Sequence, residues 1–272
     1  MRIFTSGLRK LIGRPASFVS VGLLVGLLGL ILVASATVGQ SGEARGAAAA
    51  RTLLTFPGAY DFVLSFMFGL GGLVAVTYAA AIAGSEWSWG TLKSAVARGE
   101  SRARYMLATF AAIALMVAIG LAITFVLGIA LAVAAANIAG ISTAGLTDPD
   151  TLARLPAMAA RGWFAVVEQA ALGFAIATLA RSQLAGIGAG IAFYFGEGFA
   201  SIFLPDIVKY MPFAVARASI DTGNAGGGGF GGGGAAATGA LAPDTALLLV
   251  AVWLVGSLAV AILFTERAEI TG

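Results

Sequence analysis

Gly84-Ser-Glu-Trp-Ser-Trp-Gly-Thr-Leu-Lys-Ser-Ala-Val-Ala-Arg-Gly-Glu-Ser-Arg-Ala-Arg-Tyr105 lies between two long apolar segments. It therefore reads as a polar bridge between membrane spans. Its basic residues, Lys93, Arg98, Arg102 and Arg104, mark it as cytoplasmic, since loops retained on that side carry an excess of Lys and Arg. Trp89, Leu92 and Val96 recur at helical spacing, which predicts a short helix with one apolar face. At a membrane surface such a face rests either on lipid headgroups or on a partner protein.

The composition leaves one fold class. Of 272 residues, 59% are apolar and 11% charged, with mean hydropathy +0.96. A soluble domain carries about 25% charged residues, so this chain lacks the polar surface to face water. An all-α polytopic membrane protein is expected, because a transmembrane barrel would show short alternating segments instead. The absence of histidine and cysteine removes disulfides, thiolate nucleophiles, imidazole ligands and histidine-based acid–base schemes. No nucleophile–base constellation remains, so an enzyme is the least favoured reading. The net charge of +3 gives no reason to expect nucleic acid as a partner. Arginine outnumbers lysine thirteen to three, and alanine and glycine are abundant, as in a GC-rich bacterial genome.

Residues 1–16 predict an amphipathic helix lying on the membrane. Phe4, Leu8, Leu11 and Ile12 share a face bordered by Arg2, Arg9, Lys10 and Arg14, and Pro15 turns the chain inward. Residues 17–272 read as one six-span domain, with spans at about 18–38, 60–83, 105–136, 158–180, 184–204 and 245–264. The first external loop carries Glu43, Arg45 and Arg51, and Thr147-Asp-Pro-Asp150 marks the next external turn. Residues 205–244 form the largest external segment. Six spans put both termini in the cytoplasm, and cytoplasmic segments then hold ten of the sixteen Lys and Arg. The tract Gly226–Gly234 lacks the Lys-Ser or Lys-Thr of a phosphate-binding loop and reads as a linker. With no nucleotide-binding loop elsewhere, this chain binds no cofactor of its own, and ATP-Mg is expected on a partner chain if ATP drives it.

The bridge at 84–105 resembles the corresponding segment of ABC transporter type-2 permease subunits, an integral membrane exporter family. Glu86, then Gly90-Thr91, then a basic stretch ending Ser101-Arg102 carry the resemblance. So do the basic interfacial helix, the six spans and the Leu204-Pro205 through Tyr210-Met211-Pro212-Phe213 region, which is similar to short external helices that re-enter the membrane. The resemblance implies a cytoplasmic coupling helix docking on an ATP-binding subunit, with Glu86, Trp89, Gly90, Thr91, Leu92 and Val96 as the docking element. Glu86 would offer its carboxylate to a basic residue of the ATPase or cap the helix start. Gly90 would permit close backbone approach, and Trp87 and Trp89 would anchor at headgroup depth. It further implies a bacterial inner-membrane exporter in which a second permease subunit, identical or not, completes the pathway. Lipid is expected around it, and an apolar pathway with few acids points to a drug-like, antibiotic or lipophilic small molecule as the substrate to be expected.

Glu168 and Glu197 lie inside predicted spans, about 15 and 10 Å from the external ends of their helices. Intramembrane acids are candidates for a translocation pathway. A polar clasp of Arg161, Glu168 and Gln169 between spans is an equal alternative. Gly22 with Gly26, and Gly186 with Gly190, form small-xxx-small patterns suited to a dimer interface or to packing within the chain. Two other functions stay open: a proton- or cation-coupled carrier using the two acids, and a membrane scaffold.

Overall fold

Lipid offers no hydrogen bonds to the backbone, so an apolar chain crossing it must close its own as helices. The computed structural model describes residues 2–40, 44–220 and 241–268, and these contain no strand. The helix α1 (Arg2–Ile12) precedes α2 (Pro15–Gln40), α3 (Ala44–Leu54), α4 (Gly58–Ser88) and the seven-residue α5 (Thr91–Ala97). Then come α6 (Arg102–Ile138), a 3-10 turn at Ala144–Thr147, α7 (Pro149–Ala180), α8 (Gln183–Phe203), α9 (Pro205–Val208), α10 (Pro212–Ala218) and α11 (Pro243–Arg267). Among the described residues six helices, α2, α4, α6, α7, α8 and α11, are long and apolar enough to cross a membrane. The protein is an all-α polytopic membrane protein.

Three boundaries differ from expectation, each for a local reason. The second span does not end near residue 83: α4 continues to Ser88, so Glu86 and Trp87 belong to its last turn. The fourth begins at Pro149 and not near 158, because Asp148 caps it. The Asp148 carboxylate accepts from Thr151 N at 2.9 Å, and Pro149 takes the first helical position. Those Thr151 bonds hold the Asp148 carboxyl below its usual range. The loop expected around Arg51 contains α3, whose Arg51 Nε donates to the Gly39 carbonyl at 3.1 Å. The glycine tract and the rest of residues 221–240 lie outside the described residues.

The core is the pair α4–α7. In their most apolar windows 61% and 67% of residues are buried, against 17–28% in the other four spans. Close approach follows from small residues facing large ones. Gly162 faces the Phe68 ring, Gly72 the Gln169 side chain, and Gly173 the Val76 backbone. Gly186 and Gly190 serve the same purpose, setting α8 against Ala177 of α7 and Val76 of α4. That pattern is thus used inside the chain. Gly22 and Gly26 have nothing within 4 Å of a built Cβ.

At the end opposite α1, the chain dips back into the bundle. Trp253, ten residues and about 15 Å into α11, donates to the Tyr210 carbonyl at 3.0 Å. Phe213, in the first turn of α10, is held edge-on by Tyr194 at 5.0 Å. Tyr194 OH in turn donates to the Gly69 carbonyl of α4 at 3.1 Å.

These contacts separate the glycines by consequence. Gly84 lies against the backbone of Ser182 and Gln183, and Gly173 against that of Val76, so a Cβ at either collides with atoms that have no rotamer to move. Gly84→Ala and Gly173→Ala are expected to cost about 1–3 kcal/mol. Gly22→Ala is expected to gain up to about 1 kcal/mol from helix propensity. Thermal melts of the detergent-solubilised protein check the difference in sign.

Candidate functional site

At the α1 end of the bundle, α4 must stop so that α5 can turn across it. Gly90 makes the break, with φ of +64°, a region that glycine enters without penalty. A Cβ there meets nothing within 4 Å. Within the chain, what Gly90 supplies is the left-handed turn. Ser101 then starts α6 by accepting from Arg104 N at 3.3 Å.

The break also divides the predicted apolar face. Trp89 caps α4 and does not belong to α5, so its spacing to Leu92 is not helical. Leu92 and Ala95 are 1% exposed and seat α5 on the bundle. Val96 is half-buried. Trp89 is 64% exposed and points outward together with Lys93, Ala97 and Arg98.

Glu86 is the centre of this end. It is 2% exposed and forms a 2.6 Å ion pair with Lys10 of α1. Its second oxygen accepts from the Thr91 hydroxyl of α5 and from Tyr105 OH of α6, the latter at 2.5 Å. The carboxylate is engaged within the chain, so the expected contact with a partner's basic residue is replaced by an internal one. Thr91, the first residue of α5, links Glu86 to the helix start through its side chain. A cleft of about 410 Å³ beside this cluster is lined by Lys10, Ser94, Arg98 and Tyr105.

Cations hold the surrounding ends together. Arg14 Nη1 donates to Ser85 Oγ at 3.0 Å, and its guanidinium lies 4.8 Å from the Trp89 ring centroid. Arg181, in the turn between α7 and α8, lies 5.1 Å over Trp87 and 5.2 Å over Phe264. Trp87 is therefore packed between three helix ends and is not a simple headgroup anchor. Arg102 Nη1 donates to the carbonyls of Thr265, Glu266 and Ala268 at 3.0, 3.1 and 2.7 Å, neutralising the negative end of α11.

The two intramembrane acids sit differently. Glu168 is fully buried, and neither of its oxygens has a hydrogen-bond partner among the described residues. The Arg161–Glu168–Gln169 clasp does not form. Arg161 pairs with Asp244 at 2.6 Å, near the start of α11, and Gln169 packs against Gly72. Glu197 is the clasp instead: Oε2 accepts from Phe213 N at 3.1 Å and Oε1 lies 3.8 Å from Arg217 Nη2. By helical rise Glu168 lies about 18 Å and Glu197 about 21 Å from the α7–α8 turn.

The family profile described as "Protein of unknown function (DUF2705)" matches residues 52–270. The chain belongs to the DUF2705 family. The match takes in Glu86, Thr91, Tyr105, Glu168 and Glu197, whereas Lys10 and Arg14 precede it. No curated protein matches this DUF2705 member significantly.

Removing Lys10 leaves a buried carboxylate without its counter-charge, which typically costs about 3–5 kcal/mol. Lys10→Ala is expected to lower thermal stability sharply, while Arg9→Ala, at an exposed site, stays within about 0.5 kcal/mol of the native chain. The acids are expected to diverge as well. Glu168→Leu holds or raises the melting temperature because no partner is orphaned. Glu197→Leu frees the Phe213 amide and lowers stability by about 1–3 kcal/mol.

Proposed function

We propose that this chain is the permease subunit of an ATP-driven ABC exporter in a bacterial cell membrane. Two six-span subunits form the translocation pathway, and separate ATP-binding subunits carrying ATP-Mg drive it. One observation carries the reading. The short helix α5 lies across one end of the bundle, seated by Leu92 and Ala95, with Trp89, Lys93 and Arg98 turned outward. Through Glu86 it is tied to α1, α4 and α6 at once. A groove on an ATP-binding subunit that takes this outer face moves three other helices with it.

The charge distribution supports a cytoplasmic α1 end, where ten of the sixteen Lys and Arg fall. The chain performs no chemistry in this reading. Its apolar bundle suits a drug-like, antibiotic or lipophilic substrate. A second reading, a proton- or cation-coupled carrier, rests on Glu168, a buried carboxyl with no hydrogen-bond partner among the described residues.

The test is co-purification of an ATPase with the tagged chain from native membranes in mild detergent. Arg98→Glu reverses a charge on the exposed outer face, and Trp89→Ala removes the exposed ring at the cost of its Arg14 contact. Variants that remain folded are expected to lose the ATPase. If the folded wild type captures none, export driven by ATP is rejected. The carrier reading is then tested by proton flux into vesicles holding the chain alone, with Glu168→Gln as the control.

A further inference from the structure

A carboxylate at membrane depth needs a counter-charge, hydrogen bonds or water, and one that lacks them takes up a proton. Glu168 is fully buried, and neither of its oxygens has a hydrogen-bond partner among the described residues. Gln169 beside it is turned to α4 at Gly72. The helices α4, α6, α8, α10 and α11 pack on α7, and three of them bring no charge to this level. Asp61 of α4 and Asp244 of α11 lie about 15 and 10 Å away along the axes. Arg104 of α6 lies toward the α1 end, beyond Phe110, which packs on Phe174.

The other two helices carry one charged residue each, Glu197 on α8 and Arg217 on α10, and both stand on the Glu168 side. Leu172, one turn past Glu168 on the same face, packs with Tyr194 and Phe213. Tyr194 is one turn before Glu197, whose Oε2 holds the Phe213 amide. The Glu168 face of α7 therefore meets the Glu197 face of α8 at the depth the two acids share. Glu197 is six residues, about 9 Å, from the end of α8 opposite α1. Its Oε1 has no hydrogen-bond partner among the described residues and lies 3.8 Å from Arg217 Nη2. The Arg217 side chain is 36% exposed, and an exposed guanidinium faces water, not hydrocarbon.

The donor set suits a proton better than a metal ion. A hard cation takes about six oxygens, and the described residues hold no group of three candidate ligands. We propose that Glu168 binds a proton and exchanges it with water on the face opposite α1 by way of Glu197. The O–H bond of Glu168 breaks as one forms at Glu197 Oε1, directly or across one buried water. Glu168 is left anionic and Glu197 neutral. Glu197 then gives the proton to water beside Arg217, whose charge favours the returning carboxylate. This deepens the carrier reading and rests on the same residue, but it requires no net transport.

The full-length chain in liposomes is followed by infrared spectroscopy on transfer into D2O at neutral pH. A carboxylic acid C=O stretch is expected in the wild type and absent from Glu168→Gln, and its downshift times the exchange. Glu197→Gln keeps an acceptor for the Phe213 amide and is expected to slow exchange about a hundredfold, the low end of what a positioned acid–base group contributes. Glu197→Asp withdraws the carboxyl by one carbon and replaces that variant if it melts below the wild type, with slower exchange expected again. A folded wild type without a Glu168-dependent band overturns the proposal. So does exchange unchanged in a Glu197 variant that melts like the wild type. If the chain alone moves no protons while the band exchanges through Glu197, the site stands and the carrier reading falls.

Discussion

A single carboxylate joins the parts that would otherwise lie loosely at one end of the bundle. Glu86 closes the last turn of α4 and draws α1, α5 and α6 to itself through Lys10, Thr91 and Tyr105. Of these, α1 and α5 are short and are not among the membrane-spanning helices. The helices α5, with seven residues, and α1, with eleven, are both too short to be stable in isolation. A charge buried this deeply is tolerated only because a cation and two hydroxyls replace its water. The same bonds that offset its burial set the position of α5.

Through the span region a different principle operates. Hydrophobicity does not distinguish one helix contact from another in lipid, so close packing decides which helices meet. Glycines at 72, 162 and 173 bring α4 and α7 together, and those at 186 and 190 add α8. Polar groups then fasten particular points: Tyr194 to the Gly69 carbonyl, Trp253 to the Tyr210 carbonyl, Glu197 to the Phe213 amide. Glu168 stands apart from this scheme as a buried polar group with no hydrogen-bond partner among the described residues.

The six spans were legible because each is an apolar run of sufficient length bounded by charge or proline. The short helix was legible too, from residues 91–97. Its orientation was not, because helical spacing was counted through Gly90, where the chain takes a left-handed turn and restarts its phase. Glu86 was assigned to a basic residue of a partner or to the helix start, since the cation it pairs with in the chain lies 76 residues earlier. No local pattern announces a bond over that separation. The same holds for Arg102 and the carbonyls it receives 163 to 166 residues later. The Arg161–Glu168 clasp failed for a related reason: seven residues share a helix face, but two turns separate them, and Asp244 lies nearer the arginine's end.

The lengths of α4 and α6 have a mechanical meaning. At 31 and 37 residues they measure about 46 and 55 Å, well beyond the 30 Å of the hydrocarbon. Each is an unbroken rod with Glu86 bonded near one end. Levers of that length amplify: a tilt of about 5° at the α5 end sweeps the far end of α6 through about 5 Å. A displacement smaller than one side chain at one face of the membrane thus becomes, at the other, one as large as a helical turn.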